Sequence, residues 1–404
     1  MIFKEISMKN NFLKKLFTVL IAFSVGFAYC MGGTEKGDDV VNFYGWGGSM
    51  LTNRWIDGTL SDIAQEKYGI KVNRVGMDID DILNLLIAEK AAGKQDGSVD
   101  LVWINGENFY TAMQTDLLYG PITDKVPNFK NYVDETSPDV LYDFGQKING
   151  YEVPYGKAQF VFVYDSSKIS KTPRNHRELL AWCKKNPGRF TYAALPDFTA
   201  SAFVRNIIYD IVGYEQFMTM ATDEATVRKA IQPALDYLNE LKPYLWNQGK
   251  TYPADNPALC NLYADGEIDM TMSYNPNLAS AEIAKGTFPK TTKCFLFDKG
   301  TIGNTHFIAI PKNAKHKEAA LKLIDCILTP KAQSTKYNPT VWGDMPVLDF
   351  SKMSAEEKEM FSSVPLGQAG ISAEELAAKR LPEMPANLVP IIEKIWLEDV
   401  ASQK

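Results

Sequence analysis

Residues 40–46, VVNFYGW, form a short apolar run that ends in Gly45-Trp46-Gly47-Gly48-Ser49. Helical spacing then carries through Ile63 and Ala64 until Tyr68-Gly69 interrupts it. The pattern predicts a strand, a glycine-rich turn and a helix. Residues 70–77, IKVNRVGM, alternate as a strand. Residues 78–94, DIDDILNLLIAEKAAGK, read as an amphipathic helix with an acidic first turn and Gly93 as its stop, and 99–106, VDLVWING, as a buried strand. Such βαβαβ alternation predicts an α/β fold with a mostly parallel sheet between helices, where ligands sit beyond the carboxyl ends of the strands. Trp103-Ile104-Asn105-Gly106-Glu107 lies at one such end.

The rhythm changes at Tyr151. Residues 151–165, YEVPYGKAQFVFVYD, are a long β-rich crossing, followed by a helix over 176–185, a strand over 189–195 (RFTYAAL) and the loop Pro196-Asp197-Phe198-Thr199. A helix through Tyr209, a helical region over 224–243 and the strand-loop 269–277 complete a second α/β unit. Residues 305–333 read as a strand, a Pro311 turn and a helix over 315–328 that Pro330 ends. The expected organisation is a first lobe over 40–155, a second over 156–298, a return to the first over 299–330, and a C-terminal segment, 331–404, on the second.

The first thirty residues belong to another class of segment. Lys9, Lys14 and Lys15 precede the run LFTVLIAFSVGFAYC, residues 16–30, which is shorter than the roughly 20 apolar residues of a membrane-spanning helix. Residues 1–30 therefore read as an export signal, with Cys30 as the lipidation site and 31–39 as a small, polar tether. Ordinary signal-peptidase cleavage or a retained anchor are the alternatives. All three place the folded part outside the cytoplasm, in a periplasm or at the cell surface.

Composition narrows the function classes. The 404 residues are 45% hydrophobic and 23% charged, enough for a large core. Without the four lysines and one glutamate of residues 1–29 the net charge falls from −6 to −9, which argues against nucleic acid as a partner. Cys183, Cys260, Cys294 and Cys326 form no metal-binding spacing, and either free thiols or a Cys260–Cys294 bridge fits them. Only His176, His306 and His316 are present, none in a metal-ligand spacing, and no GxSxG elbow or GxxxxGK[ST] phosphate loop occurs. No catalytic activity, cofactor or metal is expected.

The segments VNFYGWGGS, DLVWINGENF, EVPYGKAQFVFVYDSSKI and THFIAIPKNAKHKEAALKLIDCILTP together resemble the bacterial extracellular solute-binding proteins of ABC importers. Within them, the chain is similar to the YnjB-like group, close to thiamine-, polyamine- and iron-binding receptors. The resemblance implies a two-lobe periplasmic-binding-protein-like fold of type II, with mixed sheets flanked by helices and a ligand cleft between the lobes that closes by a hinge. It also implies a receptor that passes its small-molecule ligand to an ABC permease, and a monomer is expected; a ligand-binding sensor module and, behind it, an extracytoplasmic hydrolase are the rival readings.

Candidate ligand residues follow from position. Gly47, Gly48 and Ser49 sit where a strand feeds a helix, either as an anion-holding turn or as a plain helix cap. Trp46 and Trp103 at strand exits offer indoles for stacking or for a cation, with core packing as the rival role. Asn105 and Glu107 lie beyond a strand end. Phe198, Thr199 and Ser201 open a helix in the second lobe and suit an anion or simple capping. The resemblance places Tyr155, Tyr274, Asn275 and Trp342 near hinge and cleft, and Asp344 adds a carboxylate suited to a cation. Helix ends favour an anion while the indoles and carboxylates favour a cation, a mixture that a zwitterionic or phosphorylated heterocycle, thiamine-like in character, would use in full.

Overall fold

Val41 and Phe43 alternate inward along strand β1 (Asp39–Gly45), so one face of the strand faces the core and the chain leaves it at the glycine-rich turn. The computed structural model describes residues 39–402. The export segment, Cys30 and most of the tether lie outside the described residues. Ser49 caps the helix Met50–Arg54 by accepting from the Thr52 amide at 3.3 Å. The helix continues through Trp55–Leu60 and Ser61–Tyr68 and stops where Gly69 takes a left-handed φ of 66°.

The principal sheet has the order β12-β11-β3-β1-β2, using β2 (Ile70–Gly76), β3 (Leu101–Ile104), β11 (Thr301–Pro311) and β12 (Arg380–Leu381). Strands β4 (Leu118–Tyr119) and β7 (Glu152–Gln159) also pair with β11. Strands β1 and β3 are parallel, whereas β11 is antiparallel to both β3 and β7, so the sheet is mixed. Tyr142–Asp143 and Gln146–Lys147 form a small hairpin, β5 and β6. A second sheet, in the order β10-β8-β9, joins Thr292–Phe295, Val161–Asp165 and Met270–Ser273 as β10, β8 and β9.

Separate hydrophobic cores define two lobes. One lies under β8 and β9 with the helices Phe198–Val212 and Glu224–Leu241. The other contains Val41, Phe43, Trp55, Leu101, Ile308 and Ile324, with a further cluster on the opposite sheet face around Val102, Phe109 and Phe307. The chain passes between the lobes at three places. Tyr155 belongs to the first lobe and Phe160 to the second; Ile302 to the second and Ile308 to the first; Phe361 to the first and Ala369 to the second.

Three expectations need correction. Residues 189–195 are extended and buried but join no ladder: the Phe190 carbonyl accepts from Trp246 and the Ala194 amide bonds Pro253, so loop backbone takes the place of a neighbouring strand. Pro330 does not only end a helix. The helix Lys317–Ile327 stops before it, and Pro330 then occupies the first turn of Pro330–Tyr337, capped by the Thr329 hydroxyl. Finally, Ala332, Tyr337, Trp342, Val347 and Phe361 pack into the first-lobe core, so the segment after residue 330 does not lie wholly on the second lobe. The four cysteines of the described residues are free thiols, and Cys260–Cys294 is not a bridge.

Candidate functional site

The crossing strand β11 carries one titratable side chain, His306, opposite Gly156 on β7. The register shifts between His306 and Phe307, where Tyr155 of β7 has no opposite residue on β11. His306 Nε2 lies 3.0 Å from Asp344 Oδ1, and the Lys336 ammonium bonds the other carboxylate oxygen and, at 3.1 Å, the Met345 carbonyl. A Cβ on Gly156 would fall 1.9 Å from Asp344 Oδ2 and 2.7 Å from Lys336 Nζ, so only glycine leaves room for this buried pair. Lys336 is fully buried; loss of hydration lowers its ammonium pKa, and Asp344 opposes that shift.

Aromatic rings gather on this charged cluster. Trp103 stands 5.2 Å from His306, 5.5 Å from Tyr155 and 5.9 Å from Trp342, and Trp342 packs at 5.4 Å on Trp55. Asn105 fixes the indole by accepting from Trp103 Nε1 at 2.7 Å while donating to the Thr305 carbonyl at 2.7 Å. Asn275 reaches the same loop, donating to the Trp342 carbonyl at 3.4 Å. Trp103, Asn105, Tyr155, Asn275, Trp342 and Asp344 are thus brought together. Asp344, however, is already paired with Lys336 and hydrogen-bonded to His306, and is not the free carboxylate expected for a cationic ligand.

In the second lobe, Asp197 caps the helix Phe198–Val212 by accepting from the Ala200 amide at 2.9 Å. Phe198 is 46% exposed and meets Tyr274 edge-on at 4.9 Å. The Tyr274 hydroxyl donates to Glu383 in a short bond, and burial together with that carboxylate raises the phenol pKa. Arg205, 1% exposed, lies 3.4 Å from Glu383 and donates to the Ser201 hydroxyl at 2.5 Å, while that hydroxyl donates to Glu393 at 2.6 Å. Ser201 is therefore committed within the protein, with Thr199 buried on the same turn. Arg205 Nε finds no partner among the described residues.

Glu107 and Trp46 occupy the open side of the first lobe. The Glu107 side chain is exposed, yet protein crowds the water around its carboxyl and raises its pKa; Arg205 opposes this, and Glu393 and Glu383 add to it. Trp46, 54% exposed, lies over Gly48, and with Gly47, Asn53, Arg74 and Asp78 it lines a groove of about 570 Å³. Arg74 there is bound by both oxygens of Asp57, at 2.8 and 2.9 Å.

Sequence reasoning passed over His306, Lys336, Arg205, Glu383 and Glu393. Arg205 and His306 carried a legible signal, a single charged or titratable residue in an apolar stretch. Glu393 lies on the polar side of a short amphipathic helix, and neither it nor Lys336 nor Glu383 carried a signal of its own.

A family model described as bacterial extracellular solute-binding protein matches residues 59–360. Protein YnjB of Escherichia coli (strain K12) is 36% identical over 331 residues, 81% of this chain and 84% of its own. The spermidine/putrescine-binding periplasmic protein of Salmonella typhimurium is 28% identical over 72% of this chain and 74% of its own. A crystal structure of an ABC transporter from Clostridium perfringens ATCC 13124 shares the fold at a TM-score of 0.61 and 18% identity, covering 89% of this chain and 98% of that one.

Proposed function

Because the chain belongs to the bacterial extracellular solute-binding proteins, the solute-binding components of ABC import systems, we propose that it captures a small organic ligand with a cationic nitrogen between its lobes. A hinge motion about the crossing strands closes the cleft, and the loaded receptor docks on a permease. The family places the folded chain outside the cytoplasm, and its members are receptors rather than enzymes.

The ligand reading rests on one observation. Indole, phenol and phenyl rings from both lobes accompany three carboxylates, Glu107, Glu383 and Glu393, that share a single guanidinium, Arg205. Such a surface favours a cation stacked on aromatic faces. The spermidine/putrescine-binding relative supports that preference. The free Arg205 N–H adds a place for an anionic substituent, which favours a zwitterionic or phosphorylated heterocycle over a plain amine. Cys30 is proposed as the lipid attachment point and residues 31–39 as the tether.

A thermal-shift panel of thiamine, its phosphates, polyamines, amino acids, sugars and oxyanions tests the reading on the chain lacking residues 1–30. A ligand at a hundredfold excess over Kd stabilises the folded state by about 2.7 kcal/mol. A shift with a cationic member that Trp103→Ala reduces at least tenfold in affinity is expected. A shift with sugars or oxyanions alone, or turnover of the bound compound, would overturn it.

A further inference from the structure

On one side of the cleft the lobes meet backbone to backbone. The β5–β6 hairpin of the first lobe presents the Phe144 carbonyl to the Ala386 amide at 3.1 Å, and Gly145 packs on Pro385. Ala386 is held from the second lobe, since Met384 and Leu388 on either side belong to its core. The hairpin is held from the first: Asp143 Oδ2 accepts from the Gly106 amide at 2.5 Å, and Gly106, with φ of 55°, lies under the Phe144 ring. Gly106 stands between the candidate ligand residues Asn105 and Glu107. Glu383, three residues before Ala386, holds Tyr274 and Arg205 of the opposite wall. Both ligand walls are thus tied to this one contact.

The charges around it are unbalanced. Asp143, buried, faces Glu107 of its own lobe, Glu383 across the contact and Glu152 behind it on β7. Glu393 lies beyond Glu383, and Tyr209 and Tyr274 are uncharged. Arg205 is shared by Glu107, Glu383 and Glu393, and Arg380 acts on Tyr274, so two cations stand against these carboxylates. Neither carboxyl oxygen of fully buried Glu152 has a partner among the described residues.

We propose that this contact is a proton-sensitive latch, in which protonation of Asp143 relieves the carboxylate crowding that closure creates and so favours the closed arrangement of the lobes. Parting the lobes would take Glu383 away from Asp143, and the loss of that carboxylate would lower the Asp143 pKa. The closed form therefore binds the proton more tightly than the open one. By linkage the closed-to-open ratio rises as pH falls, up to tenfold per pH unit for each proton taken up. The inference depends on the two lobes opening and closing but not on which solute is bound.

Hydrogen–deuterium exchange reads the latch without ligand. Peptides containing Gly106 and Ala386 are followed from pH 5 to 8, with intrinsic exchange corrected and a β8 peptide as reference. Protection at both amides should fall severalfold to tenfold per pH unit across the transition, and Asp143→Asn should hold it high and nearly flat. If that variant does not fold, Glu107→Gln should shallow the slope. Equal protection at pH 5 and 8 in the unmodified protein, or an unchanged slope in Asp143→Asn, would overturn the latch. So would protection that ignores pH but rises with added putrescine, which would mean that a cation fills the contact instead.

Discussion

Glu152→Gln should stabilise this protein at neutral pH, although it alters a fully buried side chain. Glu152 lies on the face of β7 that pairs with Ala309, over the apolar cluster around Phe307, and both its carboxyl oxygens lack partners. Burial drives its pKa well above 4.5, and Asp143 adds to the shift. In the unfolded chain the group ionises near 4.5, while the folded protein holds the proton to higher pH. Stability is therefore greatest at or below that pH and declines as pH rises towards the raised folded value. At about 1.4 kcal/mol per pH unit, keeping the acid neutral at pH 7 costs up to about 3 kcal/mol.

Glutamine buries a comparable polar group without a proton to hold, so the loss should disappear. Urea denaturation at pH 5, 6, 7 and 8 compares the two proteins. The curves should nearly coincide at pH 5 and separate by about 1–3 kcal/mol in favour of Glu152→Gln at pH 7. A remaining slope is expected from Asp143, which titrates together with Glu152. A variant less stable than its parent at pH 7, or a separation that does not grow between pH 5 and 7, would refute the reasoning.

Two further outcomes follow from the same physics. Lys336→Met leaves Asp344 buried with only His306 beside it and should destabilise the fold by about 3–5 kcal/mol in chemical denaturation, whereas Lys336→Met with Asp344→Leu should recover most of that loss. Cys30→Ser should move the protein from the membrane fraction to the soluble extract, as judged by blotting of fractionated cells, if a lipid on Cys30 is the anchor.

The α/β class was legible because the apolar spacing of residues 40–106 switches between periods of two and 3.6, which backbone geometry alone imposes. Trp103 and Asn105 could be singled out as candidates because strand ends in such sheets open on a crevice. Pairing was not legible. Asp344 reads as a free acid until Gly156, 188 positions earlier, leaves the space in which Lys336 pairs with it and His306 bonds it. Ser201 reads as a helix-end hydroxyl until Arg205 and Glu393 occupy it. Local spacing thus determined the α/β class and most of the strands and helices, while the resemblance of four segments pointed to the class of receptor. The tertiary structure decided which charges remain available, because whether a carboxylate binds a solute, a lysine or a proton depends on neighbours that the chain brings together only by folding.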